Sequence, residues 1–442
     1  MTELTDKLDT TEYDNLAATR SKFSTTVLPW LMCGLGALFY CYAYFLRVSP
    51  SVMVNELIAH FEVNAGSLGI LSAFYYYAYT PMQIPVGIIV DRYGARMVLS
   101  IAALICSLGV YVFASTRELY IAEIGRFLIG FGSAFGYVTT LKLATLWLPP
   151  KRFATAAGST TAIGMIAAGL SQVLLTDIVE KIGYQQALDA SIGIGIALTV
   201  IIFLFVRNQP KKLPKENQPR HTPLTFSKVL SYLSIILINP QTWLIGVIGC
   251  LMYLPASVFL DLWGIPYLEA VYHLTAHEAS RVSLVIFIGW IIAGPVTGAV
   301  SDMIGKRRLP LLVCSIGAAI VMSIIFYMPG ISLTGLYFLA ATLGFFCGSH
   351  PLCFAISREN ISAKVSATAI AVANTLIMIG GMVFQPVVGF LLDANWDGVM
   401  LNGSPVYSAE NFTYALSIVP ISLIISVVLT FFIRETYCRV PE

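Results

Sequence analysis

Long apolar runs separated by short polar breaks account for most of the chain. A membrane crossing needs about 20 mostly apolar residues. The pattern predicts twelve crossings, at 27–54, 66–90, 97–115, 119–148, 153–178 and 186–206, then 241–268, 279–301, 309–328, 333–356, 365–392 and 411–434. The leader MTELTDKLDTTEYDNLAATRSKF is polar and of mixed charge, and the first apolar run is too long for a signal-peptide core, so that run is expected to stay as a span. Between the sixth and seventh runs, RNQPKKLPKENQPRHTP is Pro-rich and basic, the composition of a linker. The expected organisation is a tail (1–26), a six-helix bundle (27–206), a linker (207–240), a second six-helix bundle (241–434) and a short tail (435–442).

Composition agrees. Of 442 residues, 57% are hydrophobic and 11% charged, whereas soluble domains carry about 25% charged residues. The net charge of +2 gives no reason to expect a nucleic-acid partner. Twenty of the 26 Lys and Arg fall in segments on one side, including Arg92, Arg96, Lys306 and Arg307, and three (Arg117, Lys181, Arg281) on the other. By the positive-inside rule both termini are expected in the cytoplasm of a multi-pass plasma-membrane protein. The eight cysteines lack metal-ligand spacing and read as small hydrophobes, so no metal or cofactor is expected. No G-x-S-x-G, H-E-x-x-H or Walker sequence is present, which disfavours an enzyme and leaves a gradient as the energy source. Asn402-Gly403-Ser404 matches a glycosylation sequon, weakened by Pro405.

The halves repeat each other. Gly87-Ile88-Ile89-Val90-Asp91-Arg92-Tyr93-Gly94-Ala95-Arg96 closes the second span, and Gly298-Ala299-Val300-Ser301-Asp302-Met303-Ile304-Gly305-Lys306-Arg307 closes the eighth, 211 residues later. Phe45-Leu46-Arg47 recurs as Phe259-Leu260-Asp261 at a spacing of 214, and Gln172 and Gln385 are 213 apart. One offset in corresponding spans indicates an internal duplication, and such halves hold substrate between them near the midplane.

The two G-x-x-x-D loops resemble the helix 2–3 and helix 8–9 signature of the major facilitator superfamily, across essentially the whole chain. The resemblance implies two pseudo-symmetric six-helix bundles, alternating access, and a switching role for Asp91, Arg92, Arg96, Asp302 and Arg307. Gly87, Gly94, Gly298 and Gly305 would permit tight turns and close helix approach. The second copy lacks the Arg after Asp302. Tyr42-Ala43-Tyr44-Phe45-Leu46-Arg47 is similar to the Y-x-x-R stretch of the organic-anion and sugar-phosphate branch, where the arginine holds the anionic group. Ala256 stands where the phosphate antiporters of that branch carry a second arginine, which points to a carboxylate or zwitterion instead.

Ionisable groups inside a membrane ask for a reason. Arg47 is a candidate anion site, alternatively a structural pair with its repeat mate Asp261; Asp261 is a candidate gate or proton site. Lys142 and His350 are further candidates for binding, as are Tyr76, Asn374 and Gln385 among the uncharged polar residues. Arg126 and Glu123, three apart, are expected to form a local ion pair. The resulting reading is a monomeric secondary transporter of a small anionic or zwitterionic solute, coupled to protons. A polyspecific exporter and a transporter-like receptor without flux are the alternatives.

Overall fold

The computed structural model describes residues 27–208, 226–328, 330–362, 365–401 and 403–439. The tail 1–26, linker positions 209–225 and Asn402 of the sequon lie outside the described residues. The chain is helical almost throughout. In order come α1 (Leu28–Val48), a 3-10 turn (Ser49–Val52), α2 (Val54–Phe61), α3 (Ala65–Met82), α4 (Val86–Tyr93), α5 (Ala95–Ala114), α6 (Leu119–Ser133), α7 (Phe135–Trp147), α8 (Pro150–Ile182) and α9 (Tyr184–Phe205). The second half has α10 (Phe226–Ile238), α11 (Pro240–Leu254), a π-helical stretch (Pro255–Trp263), α12 (Gly264–Tyr272), α13 (Ala276–Ile304), α14 (Arg308–Tyr327), α15 (Leu333–Cys347), α16 (Leu352–Glu359), α17 (Ser366–Ala394), α18 (Ala409–Leu416) and α19 (Ile418–Thr430). A two-residue hairpin joins Met400–Leu401 to Ser404–Pro405.

Among the described residues, eleven helical spans are long and apolar enough to cross a membrane, and a bent helix pair raises the count to twelve. That pair is α2 and α3, which meet at 109°. The crossing expected at 66–90 falls on α3 and α4. Its hydropathy is low because Tyr75, Tyr76, Tyr77 and Tyr79 occupy it. The end of the expected linker is also helical, as α10.

Local chemistry sets the breaks. Asn64 caps α3 through Ser67 N–H, and Thr275 with Glu278 forms a capping box on α13. Gly94 (φ +80°) and Gly305 (φ +66°) turn the chain after α4 and α13, in conformations that favour glycine. The break between α6 and α7 at Ala134 and that after α15 at Gly348 are 214 residues apart, the repeat offset again.

The two halves meet along α3 with α17, α8 with α13, and the tip of α1 with the π-helical stretch. Glycines allow the tightest crossings inside each half. A methyl at Gly130 would come within 2.0 Å of the Tyr75 carbonyl oxygen, and one at Gly344 within 2.0 Å of the Ile286 carbonyl oxygen. These glycines are also 214 apart.

Candidate functional site

Arg47 ends α1, and Asp261 sits in the π-helical stretch that begins at Pro255, a residue without an N–H to continue the α-helical ladder. Arg47 Nε donates to Asp261 Oδ2 at 2.7 Å, and both side chains are 4% exposed. Its Nη2 donates to the hydroxyls of Tyr76 (2.6 Å) and Tyr253 (3.0 Å), and the Tyr76 hydroxyl donates on to Asp261. The rings of Tyr44, Tyr76 and Tyr253 lie 5.1–5.7 Å from the guanidinium carbon, within cation–π range. Around this cluster Gln172 donates to Ser51 Oγ (2.8 Å) and to the Leu260 carbonyl (2.7 Å), and Gln385 donates to the Ser257 carbonyl (2.7 Å).

Arg126 corrects one expectation. It forms no ion pair with Glu123; its Nη1 donates to the Leu46 carbonyl at 2.9 Å and its guanidinium lies over the Tyr75 ring at 5.5 Å. Glu123 is half-buried on the same helix, while Arg126 points into the bundle. Arg126 Nε has no partner. The buried centre therefore holds two guanidiniums, Arg47 and Arg126, against one carboxylate, Asp261. Arginine does not deprotonate in proteins, so the centre carries an excess of positive charge.

Of the other candidates, Tyr76 and Gln385 join this centre, and His350 reaches its edge through the Tyr253 ring, centroids 5.1 Å apart. Asn374 lies toward the end that holds the Asp91 and Asp302 loops, where its Nδ2 donates to Gln83 Oε1 across the halves at 2.9 Å. Lys142 lies outside the central cluster: its ammonium pairs with Asp91 at 2.7 Å, because α7 brings it to the level of the loop.

The loop residues stay within their own halves. Arg96 Nε donates to the Phe203 carbonyl (2.7 Å), and Arg92 lies over the Tyr93 ring (5.4 Å). Arg307 bridges Asp302 (2.6 Å) and Glu359 (2.8 Å). Burial alone would lower its pKa; the bonds to Glu359 and Asp302 outweigh that and raise it above the ordinary arginine value. A methyl built at Gly87 or Gly298 meets nothing within 4 Å, so the close helix approach expected there is absent from this conformation.

At the opposite, far end the halves are latched. Asp393 at the end of α17 accepts the N–H groups of Ala65 (3.1 Å) and Gly66 (2.8 Å) at the start of α3, and the Tyr407 hydroxyl joins them. This is a helix cap supplied by the other half. His277 on α13 contacts Asp177 (3.0 Å) and Glu180 (2.9 Å) on α8.

Sequence reasoning missed Tyr253 and Asp393. Tyr253 had a signal, since it lies 213 residues after Tyr40, the spacing of Gln172 and Gln385. Asp393 had none: a cap donated in trans depends on how two helices end in space.

A family model described as the Major Facilitator Superfamily matches residues 33–385. A probable sulfoacetate transporter of Cupriavidus necator is 21% identical over 377 residues, 82% of this chain and 87% of that protein. A probable anion transporter of Oryza sativa subsp. japonica is 21% identical over 375 residues, 79% and 85%. A hexuronate transporter of Bacillus subtilis is 23% identical over 272 residues, 60% and 62%. Among solved structures, an inward-facing, unoccupied bacterial homologue of the human lysosomal transporter Spinster superposes with a TM-score of 0.75 at 16% identity, covering 92% of this chain and 97% of that one.

Proposed function

The chain belongs to the Major Facilitator Superfamily and is a membrane transporter rather than an enzyme; from that premise we propose that it carries a small organic anion by alternating access, with Arg47 as the anion anchor. The observation that carries the reading is the excess of guanidinium over carboxylate at the buried centre. A free carboxylate or sulfonate would balance it through a bidentate pair with the planar fork of Arg47. A zwitterion fits less well, because the one carboxylate available to its ammonium is already paired with Arg47. The relatives named for sulfoacetate, hexuronate and unspecified anions support the same class.

Asp261 is the exchangeable counter-charge in this reading. While ionised it neutralises Arg47; once protonated it releases the guanidinium to the substrate, which couples uptake to protons. The protein works as a monomer in the plasma membrane, both termini in the cytoplasm.

Uptake of labelled carboxylates and sulfonates into proteoliposomes, with and without an imposed pH gradient, tests the proposal. Gradient-stimulated uptake of an anion supports it. A preferred cation, or anion uptake indifferent to the gradient, overturns the substrate class or the coupling respectively.

A further inference from the structure

The Tyr253 ring, whose hydroxyl bonds Arg47, also packs on Trp290 and His350, with centroids 5.7 and 5.1 Å away. Those two rings lie 5.3 Å from each other, and Phe354 closes the box on His350 at 5.9 Å. Trp290 is 4% and His350 7% exposed. On these packed rings the buried Trp290 Nε1 and His350 Nδ1 have no hydrogen-bond partner. Four of the other five indoles are treated differently: Trp147, Trp243, Trp263 and Trp396 donate to backbone carbonyls. A buried polar atom left unpaired costs about 1–3 kcal/mol, and phenylalanine would fill such a box without that cost. Two such atoms on touching rings, one ring away from the anion anchor, have a common explanation in a bound oxygen.

We infer that Trp290 and His350 form the distal subsite of the anion site. With the substrate's acidic group on Arg47, an oxygen at its other end accepts from the indole N–H and bonds the imidazole. That oxygen belongs to a hydroxyl, a carbonyl or a second acid group. The substrate class narrows to bifunctional polar anions; a plain alkanoate leaves both nitrogens bare. A site built to hydrogen-bond an oxygen discriminates strongly against the analogue lacking it. This inference rests on the anion reading above.

The test uses purified full-length protein in nanodiscs and calorimetric titration with short linear alkanoates, each paired with its terminally hydroxylated counterpart. For at least one chain length the hydroxylated member should bind at least about tenfold more tightly. Trp290→Phe and His350→Phe should each lower the hydroxylated member's affinity far more than the alkanoate's, erasing most of that preference. Equal binding of the two members by the wild type overturns the distal subsite, as does a preference that survives both substitutions. Alkanoate binding would still be intact in those cases, so the anion reading would stand. If no alkanoate or hydroxyalkanoate binds at any length, both readings fall. Should Trp290→Phe not fold, the wild-type ratio and His350→Phe decide.

Discussion

Arg47 and Asp261 hold equivalent positions in the two repeats, 214 residues apart, and meet at 2.7 Å across the interface between the halves. A bond between symmetry-related positions lies near the axis relating the halves. Both charges are buried, and separating them without replacement would leave two uncompensated ions in a low-dielectric interior. In the proposed cycle, substrate arriving as Asp261 takes up a proton would replace one pairing by another and avoid that state.

Arg47→Lys keeps the charge and loses the planar fork. Uptake of an anion by proteoliposomes should fall more than about tenfold, consistent with the loss of a bidentate, charge-assisted pair. Asp261→Asn keeps the shape and removes the carboxylate assigned to coupling, so its uptake should lose most of its dependence on the pH gradient. Wild-type uptake by Arg47→Lys, in protein matched for folded yield, would make Arg47 a structural charge.

The far-end latch should be breakable at two points. Asp393→Ala removes an acceptor for two α3 amides, and losing a cap costs about 0.5–2 kcal/mol. Spin labels on the far ends of α3 and α17 should report a larger population of separated halves. His277 faces a carboxylate at each nitrogen, and His277→Ala should likewise raise the population of separated halves. An unchanged distance distribution in both variants would remove the latch from the mechanism.

Gly130→Ala forces a methyl against the Tyr75 carbonyl, and Gly344→Ala does the same against Ile286. Both obstacles are backbone and cannot swing aside, so each substitution should destabilise the protein by about 1–3 kcal/mol. Thermal unfolding in detergent should show similar losses for the two, as expected of repeat mates. A neutral Gly130→Ala would mean that α3 and α6 do not cross this closely.

The Asp91–Lys142 pair is part-exposed, at 38% and 28%, and such pairs contribute about 0–1 kcal/mol. Lys142→Ala should barely move the unfolding temperature. Asp91→Asn should slow transport while leaving equilibrium affinity within a few-fold, because the pair lies at the loop and not at the anion site. Stopped-flow exchange and titration on the same preparation separate the two effects.

How much of this was legible beforehand follows the range of the interactions. Spans follow from local hydropathy, and the tyrosines of α3 weakened the signal at its crossing. The Arg47–Asp261 relation could be raised because duplication writes spatial equivalence into a fixed sequence offset. Lys142, Arg126 and Asp393 were misjudged or missed for one shared reason. Hydropathy locates a residue along a helix, whereas its partner depends on rotation about the helix axis and on what the neighbouring helix presents. Arg126 could have turned toward Glu123 on its own helix; packing turned it toward the Leu46 carbonyl instead.

Gly87 and Gly298 carry a different kind of information. Open space surrounds a methyl at either position here. Gly298 sits within α13, where alanine would favour the helix by up to about 1 kcal/mol. If the halves close over this side elsewhere in the cycle, it is there that the small residue is needed. A substitution that looks like an improvement in this pose is then a wedge in the other. For a molecule whose work is to visit two shapes in turn, hardening one of them is a form of braking, and a more heat-resistant Gly298→Ala carrier should be the slower one.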